Sequence, residues 1–227
     1  MRITFRNCSA FTLIEILVVI ATFAILFAFL VPALAKQKSK RQRIECVNNL
    51  KQVGLSFRIW SGDGGSDYPV QVSTNDGGSL EYVNTPDVFR HFQCLSVELG
   101  ATKVLVCPAD AERIPATTIS NLSNLNLSYF FGPDGNENEP TTILAGDRNL
   151  TNGFATTNGM LYLNTNQNVG WTKELHKFQG NIAIGDGSVQ QANNARLQKE
   201  ILAEATIRFT RNVNLPAPPL LNRIVIP

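Results

Sequence analysis

The sequence lacks the short motifs by which common enzyme classes are recognised. It contains no GxSxG, no HExxH, no P-loop and no glycine fingerprint after a strand, so nothing indicates a hydrolase, a zinc protease or a nucleotide-dependent enzyme. Histidine is scarce, with only His91 and His176 in the chain. A triad of residues distant in sequence is the enzymatic arrangement left open, and we expect the protein not to be an enzyme.

Cysteine is also scarce and is never paired as CxxC, so a zinc ribbon or a dithiol redox motif is not indicated. Of the four cysteines, Cys8 lies in the first ten residues. Cys94 and Cys107 enclose a short loop and make the simplest disulfide, while Cys46 is a competitor for Cys107. Three buried thiols are the alternative. We predict no bound metal or other cofactor, with calcium as the one exception considered below.

Basic charge is not concentrated on the bulk of the chain. The formal net charge is +2, but two arginines fall in residues 1–10 and five bases in residues 36–43, which leaves 13 basic and 17 acidic residues from residue 44 onward. Nucleic-acid-binding domains normally display a basic face, so nucleic acid is not an expected partner. The bases at 36–43 directly follow an apolar run, which suits an anchor at lipid headgroups.

That apolar run, FTLIEILVVIATFAILFAFLVPALA, occupies residues 11–35. As a helix it would be about 37 Å long, enough to cross a hydrocarbon core of about 30 Å. Its twelve Leu, Ile, Val and Phe residues between Ile16 and Val31 favour insertion by about 5 kcal/mol, against about 3 kcal/mol for burying the Glu15 carboxylate. The sequence therefore predicts a membrane span, in which Pro32 produces at most a kink near the far end.

Glu15 needs a partner, because an ionisable group in hydrocarbon is costly. Cleavage after the A-x-A sequence at residues 33–35 would release a secreted domain that begins at Lys36, but it leaves Glu15 unexplained. Cleavage between Ala10 and Phe11 would instead create an α-amine about one helical turn from Glu15. The two opposite charges would then be close enough to pair.

Residues 9–15, SAFTLIE, with the apolar run that follows, resemble the N-terminal signal of type IV pilins and type II secretion pseudopilins. The resemblance implies that a prepilin peptidase removes residues 1–10 as a basic leader and methylates Phe11. It further implies that Glu15 meets the amine of a neighbouring subunit during assembly, and that Pro32 is the kink of the family's helix. This sequence departs from the family at Ala10, where glycine is usual before the cut.

The same resemblance implies a function and a location. The chain would be a subunit of a type IV pilus-like or type II secretion pseudopilus filament, assembled through its N-terminal helix. Its partners would be the prepilin peptidase, copies of itself or other pilin-like subunits, the inner-membrane assembly platform and membrane lipid. It would cross the bacterial inner membrane once, with its globular domain outside the cytoplasm and the filament in the periplasm or at the cell surface. The alternative is a secreted or membrane-tethered envelope binding module or enzyme.

Downstream periodicity predicts an α+β, pilin-like fold, with a long helix packed against a small antiparallel sheet. The membrane helix of residues 11–35 should continue as an amphipathic helix over residues 36–61 and stop in SGDGGSD, at residues 61–67. Residues 62–227 should form an extracytoplasmic β-rich domain. The apolar face of the continued helix is Cys46, Leu50, Val53, Phe57 and Trp60. Short β-type runs are predicted at 68–72, 104–107, 127–131, 141–145, 160–163 and 182–184, and further helices at 87–98 and 192–205.

The stretch HKFQGNIAIGDGS contains an H-x9-DG pattern made by His176, Asp186 and Gly187. It resembles a C-terminal element of bacterial pilin-like proteins that carry the same N-terminal signal. From the residues themselves, a strand ending at Ile184, a tight turn and a returning strand from Val189 form a hairpin. We expect His176 to cap or tie this hairpin instead of binding a metal, because one histidine and one aspartate are too few ligands.

Asp134, Asn136 and Asn138 alternate along the chain, as the oxygen-bearing ligands of a calcium-binding loop do. An EF-hand loop needs glycine at its sixth position and glutamate at its twelfth, where this chain has Glu139 and Ala145. The EF-hand interpretation therefore fails. An irregular calcium site stays open on three aspartates: Asp134, Asp147 and Asp186.

Overall fold

The structure is a computed structural model that describes residues 12–64, 67–153, 159–163, 168–201 and 222–226. The chain divides into two compact units, Met1–Arg41 and Gln42–Pro227. Several sequence predictions lie outside the described residues: the leader at 1–10, the cleavage pair Ala10 and Phe11, Cys8, and the end of the third predicted helix at 202–205.

Helix α1 runs from Leu13 to Gly64, which confirms the predicted long N-terminal helix. Gly54 does not interrupt it, and it ends inside the glycine-rich SGDGGSD sequence, where glycine removes the preference for helix. The predicted apolar face is buried in the second unit: Cys46, Leu50, Val53 and Phe57 have no exposed surface, and Trp60 packs against the same core.

Small antiparallel sheets make up the β part of the second unit. The described strands, in chain order, are β1 (Tyr129–Phe131), β2 (Ile143–Asp147), β3 (Leu150–Thr151), β4 (Met160–Leu163), β5 (Gly170–Trp171), β6 (Gln179–Ile184), β7 (Val189–Asn193) and β8 (Asn222–Val225). Among these, six form one antiparallel sheet in the order β4-β8-β1-β2-β6-β7, and β3 pairs with β5. The predicted α+β layout is thus confirmed.

The six-stranded sheet has a hydrophobic core on each face, because neighbouring side chains of a strand point to opposite sides. Tyr129 and Phe131 of β1 pack in the core that contains the buried face of α1. Phe130, between them, packs in a second core with Trp171. Helix α1 is therefore one layer over the sheet, and β5 and its neighbours cover the other side.

Two of the predicted β-type runs form 3-10 turns instead of strands, at Pro69–Gln71 and Thr102–Leu105. Their described hydrogen bonds are local, as in Val72 N–H to the carbonyl of Pro69. Proline has no N–H to give to a neighbouring strand, which disfavours a strand at the first of them. Val70 and Leu105 are nevertheless buried, so the apolar runs indicated burial correctly but not conformation.

The two later helices are shorter than predicted. Helix α2 covers only Val88–Gln93 of the predicted 87–98. At the predicted third helix, β7 continues to Asn193, whose side chain accepts a hydrogen bond from the amide of Arg196 and starts the short helix α3, Asn194–Arg196. A wider helical turn follows over Leu197–Ile201. Sheet pairing with β6 therefore displaced the first part of the predicted helix.

Candidate functional site

The Glu15 carboxylate is hydrogen-bonded within its own helical turn. Its Oε2 accepts hydrogen bonds from the backbone amide and from the hydroxyl of Thr12, each at 2.8 Å. In return, the amide of Glu15 donates to the Thr12 hydroxyl at 3.4 Å. This reciprocal arrangement is a capping box, which satisfies amides that have no partner inside the helix. The T-x-x-E spacing of Thr12 and Glu15 is the sequence signal for this capping box, which supplies Glu15 with a partner that is not a charge.

From Leu13 to Leu34, helix α1 carries apolar side chains that are exposed on all sides. Every large apolar side chain in this stretch is at least 45 % exposed, and Leu13 is 81 % exposed. Judged by length and composition, α1 is the one helix in the described part of the chain that could cross a membrane. Pro32 lies inside it without ending it.

Four side chains from distant parts of the second unit meet in its interior, and we call them the Cys-His-Asp cluster: Cys46, Cys107, Asp147 and His176. The Cys46 thiol donates to Oδ1 of Asp147 at 3.2 Å. Nε2 of His176 is 3.5 Å from the sulfur of Cys107 and 3.5 Å from Oδ2 of Asp147. The ligand atoms of the two cysteines and His176 all lie within 4.8 Å of one another.

The cluster is buried, and different elements supply its members. Cys46 belongs to α1, Asp147 is the last residue of β2, and Cys107 follows the 3-10 turn Thr102–Leu105. These three have no exposed surface, and the His176 side chain is only 4 % exposed. Folding of the whole unit is therefore needed to bring the four groups together.

His176 reaches the cluster through an unusual turn. Lys177 and Phe178 follow it and both have positive φ, at 54° and 62°. Residues other than glycine rarely adopt a positive φ, and such backbone strain often marks a functional position. Sequence reasoning placed His176 at the β6–β7 hairpin, but its described contacts are to Cys107 and Asp147, because this turn directs the ring into the interior.

Two four-residue segments, CPAD (107–110) and AGDR (145–148), bind to each other. Arg148 donates to both carboxylate oxygens of Asp110, at 2.8 and 3.0 Å, and the Ser128 hydroxyl also donates to Asp110 at 2.8 Å. The side chains of Arg148 and Asp110 are 9 % and 1 % exposed. This nearly buried, two-pronged ion pair joins the segment that begins at Cys107 to the residue that follows Asp147, and so holds Cys107 and Asp147 near each other.

Burial and mutual contact shift the pKa values in the cluster. Burial raises the pKa of Asp147 to about 7, against the opposing charge of His176. A hydrogen bond with Cys46 lowers the pKa of Cys107 to about 6, although burial opposes the change and His176 assists it. Burial alone lowers the pKa of His176, but its contacts with Cys107 and Asp147 outweigh burial and raise it. Contact between Cys107 and His176 therefore lowers the pKa of the thiol and raises the pKa of the imidazole.

The geometry differs from that of a cysteine-histidine-aspartate catalytic triad. In a triad the nucleophile contacts one ring nitrogen while the carboxylate orients the ring through the other. In this cluster Cys107 and Asp147 both approach the same nitrogen, Nε2 of His176. Sulfur, nitrogen and oxygen atoms that converge on one point form a ligand set for a cation.

The predicted hairpin is formed by β6 and β7, with Asp186 and Gly187 at its tip. Oδ1 of Asp186 accepts the amide of Ser188 at 2.7 Å, and Gly187 has φ of 79°, which glycine adopts without strain. The tip lies against α1 at Gly54, where an added Cβ would be 3.3 Å from the carbonyl oxygen of Gly187. Arg58 donates to the Asp186 carbonyl at 3.1 Å. The DG pair thus fastens the hairpin tip to the helix.

The predicted disulfide between Cys94 and Cys107 is not formed. Among the described cysteines, Cys46, Cys94 and Cys107 are all free thiols. The sulfur of Cys94 donates to the carbonyl of His91 at 3.0 Å, within its own turn. Cys107 faces Cys46 instead, the residue named above as its competitor.

The three aspartates considered for calcium do not come together. Asp147 belongs to the Cys-His-Asp cluster, and the Asp186 carboxylate holds the hairpin turn. In the candidate loop, Oδ1 of Asn136 accepts the amide of Asn138 at 2.9 Å. Over the part of the chain that the structure describes, the group of three His, Cys, Asp or Glu side chains arranged for a metal is Cys46, Cys107 and His176.

Sequence reasoning missed this cluster because it weighed each member alone. Cys46 and Cys107 were considered as disulfide partners, His176 as a hairpin tie and Asp147 as a calcium ligand. The signal in the sequence is that CPAD, AGDR and H-x9-DG each contain at least one ligand-type residue and that Cys46 lies on the apolar face of the predicted helix.

No family model matches the chain, and no curated protein and no solved structure matches it either. Function must therefore be argued from the exposed helix and from the cluster.

Proposed function

We propose that the protein is a pseudopilin-type subunit of a type IV pilus-like or type II secretion filament, anchored and assembled through helix α1. The observation that carries this proposal is the apolar stretch from Leu13 to Leu34, whose large side chains are all at least 45 % exposed and which belongs to the same helix as the buried face of the globular unit. Apolar patches of this size mark membrane or protein contacts. Lipid would cover the stretch before assembly, and equivalent helices would cover it in the filament.

The capping box is compatible with a role of Glu15 in assembly. The described hydrogen bonds from Thr12 all go to Oε2 of the carboxylate. In a filament the carboxylate would pair with the α-amine of Phe11 in the next subunit. Such a pair in an apolar surrounding contributes to axial register more than to net stability.

The proposal includes processing, partners and location. A prepilin peptidase would cut between Ala10 and Phe11 and methylate Phe11, after which the inner-membrane assembly platform would add the subunit to its neighbours. The globular unit would lie outside the cytoplasm. We assign no catalytic role, since the Cys-His-Asp cluster lacks the geometry of a triad.

Mass spectrometry of the mature N-terminus tests the processing step. We expect the membrane fraction of the native host to contain a chain that begins at N-methylated Phe11. A chain that begins at Lys36 would instead identify ordinary secretion and would contradict the proposal.

Two substitutions separate the capping role of Glu15 from its charge. Glu15→Gln keeps an oxygen for the capping box, since glutamine serves at this position, but removes the charge. Thr12→Ala removes the cap and keeps the charge. We expect Glu15→Gln to insert, be processed and fail to form filaments, while Thr12→Ala still assembles. Normal filaments from Glu15→Gln, seen by electron microscopy of sheared material, would refute the proposed amine pairing.

A further inference from the structure

We propose that Cys46, Cys107 and His176 bind one zinc-like divalent ion, with Asp147 as the fourth ligand, and that this ion is a structural centre of the globular unit. The inference is independent of the filament proposal, because it depends only on residues of the second unit. It gives one role to four buried side chains of ligand type that different elements bring together.

The spacing of the cluster matches a tetrahedral zinc site. Zinc lies about 2.3 Å from sulfur and about 2.0–2.2 Å from nitrogen or oxygen, so neighbouring ligand atoms of a tetrahedron are roughly 3.3–3.8 Å apart. The sulfur of Cys46 is 3.2 Å from Oδ1 of Asp147, and Nε2 of His176 is 3.5 Å from the sulfur of Cys107 and 3.5 Å from Oδ2 of Asp147. Whichever oxygen of Asp147 is the ligand, two edges of the tetrahedron are already close to the required length, and the atoms of Cys46, Cys107 and His176 lie within 4.8 Å of one another.

The ligand types select the metal. Thiolate and imidazole ligands favour zinc and similar transition metals, whereas calcium and magnesium require oxygen ligands. Structural zinc sites use four protein ligands and are closed to substrate, as expected for a group whose members have at most 4 % of their surface exposed.

Hydrogen bonds around the cluster orient its ligands. The backbone amide and the side-chain amide of Asn181 both donate to Oδ2 of Asp147, at 2.8 and 2.9 Å. The Tyr129 hydroxyl is 3.4 Å from the sulfur of Cys46. Outer contacts of this kind fix ligand orientation in metal sites. Two thiolates, a carboxylate and a dication have a net charge of −1, and the nearby cation Arg43 already acts on the charge of His176.

A disulfide between Cys46 and Cys107 is the competing use of these thiols. It would account for the two sulfurs, but not for the imidazole and the carboxylate directed at the same point. Burying a carboxylate is costly unless a positive charge compensates it. A bound dication supplies that charge and uses all four side chains, so the metal explains more of the cluster than the disulfide does.

A cleft of about 510 Å³ lies beside the cluster, and its lining includes Cys107, Asn49 and Asp110. Cys107 has no exposed surface, so the ion would be enclosed when the unit folds around it. Binding requires both thiols to lose their protons and Nε2 of His176 to be unprotonated, and these protons pass to solvent. Affinity for the metal should therefore rise with pH.

The test is metal titration of the purified full chain in detergent, with reduced thiols. We expect one Co²⁺ per chain, with a sulfur-to-cobalt charge-transfer band and tetrahedral ligand-field absorption that one equivalent of Zn²⁺ abolishes. In the wild-type chain, zinc should also raise the midpoint temperature for unfolding of the globular unit, and a chelator should lower it. Binding of less than one Co²⁺ per chain, or absorption without the sulfur band, would overturn the proposal.

Matched variants locate the ion. Cys107→Ser and His176→Gln should weaken Co²⁺ binding at least about 100-fold, and Asn181→Ala, which removes one outer contact, by about 10- to 100-fold. Cys94→Ser and His91→Gln change the same residue types outside the cluster and should bind as the wild type does. Equal binding by Cys107→Ser and Cys94→Ser would overturn the assignment.

Protein isolated from its native host without reductant distinguishes the metal from the disulfide. Elemental analysis should find about one zinc per chain, and peptide mass spectrometry should find Cys46 and Cys107 as separate thiols. A Cys46–Cys107 disulfide without zinc would refute the metal centre.

Discussion

The two ends of helix α1 place their apolar side chains in opposite environments. From Leu13 to Leu34 these side chains surround the helix and are exposed, whereas Cys46, Leu50, Val53 and Phe57 form one stripe that is completely buried. The backbone is helical in both parts. The distribution of apolar residues around the helix therefore indicates its surroundings: a stripe fits a protein core, and an all-round apolar surface fits lipid or other helices.

The largest effect should come from shortening an aromatic residue in the buried part. Phe57 packs on Tyr68, Phe92 and Phe131, and Phe57→Ala should lower the free energy of unfolding by about 3–5 kcal/mol. Phe29→Ala, in the exposed part of the same helix, should leave it unchanged. Urea unfolding in detergent, followed by tryptophan fluorescence, measures both. Similar losses from the two variants would break the comparison.

Loss of the buried ion pair should come next. Arg148→Met leaves the Asp110 carboxylate buried without its cation, which should cost about 3 kcal/mol. The exposed Arg90, which lies over the rings of Tyr82 and Phe89, provides the control, since Arg90→Met should cost less than about 1 kcal/mol. The same unfolding assay applies, and insertion of the apolar part of α1 into membranes should be unaffected in both variants.

Acid should destabilise the globular unit through His91. Burial lowers the pKa of His91 from 6.5 to about 4, and the ring stacks on Phe131 at 4.3 Å. Because the unfolded chain takes up a proton first, the stability contributed by neutral His91 is complete above pH 6.5 and falls by about 3 kcal/mol as the pH drops through 4. The advantage of wild type over His91→Gln should shrink accordingly.

The difference in unfolding free energy between wild type and His91→Gln separates the effect of His91 from that of Asp147, whose contribution to stability depends on pH in the opposite direction. The pKa of Asp147 is raised to about 7 by burial, so its contribution is lost as pH rises through 7, but it is present in both proteins and cancels. A difference in unfolding free energy that is the same at pH 7 and pH 4 would contradict the assignment to His91.

The smallest effect concerns two glycines of α1. An added Cβ at Gly62 meets nothing within 4 Å, so Gly62→Ala should stabilise the unit by up to about 1 kcal/mol. At Gly54 the added atom would press on the backbone of Gly187 at 3.3 Å, and that hairpin tip is held by Arg58. Gly54→Ala should therefore gain nothing or lose stability. An equal gain from both variants would show that the hairpin tip is not held against the helix.

Local patterns predicted the features that depend on local physics. The spacing of Cys46, Leu50, Val53 and Phe57 identified the buried face of α1, because helical periodicity is a property of neighbouring turns. The turn at Asp186 and Gly187 was likewise readable, since glycine adopts a positive φ at little cost.

Features that depend on distant contacts were not readable. Whether an apolar run such as 104–107 becomes a strand depends on a neighbouring edge, which sequence order does not reveal. The Cys-His-Asp cluster is a stronger case, because its members are separated by up to 130 residues and meet only through the Asp110–Arg148 ion pair and the turn after His176. Neither the ion pair nor that turn leaves a periodic signal in the sequence.

The capping box at Thr12 and Glu15 makes the start of helix α1 self-sufficient. The amides of Thr12 and Glu15 obtain side-chain partners from Glu15 and Thr12 respectively, so these hydrogen bonds do not involve residues 1–11. A protease that cut immediately before Phe11 would remove ten residues without removing any of these hydrogen bonds. The helix could then begin at the same place in the precursor and in the mature chain, and the new terminus would be the only change that a neighbouring molecule encounters.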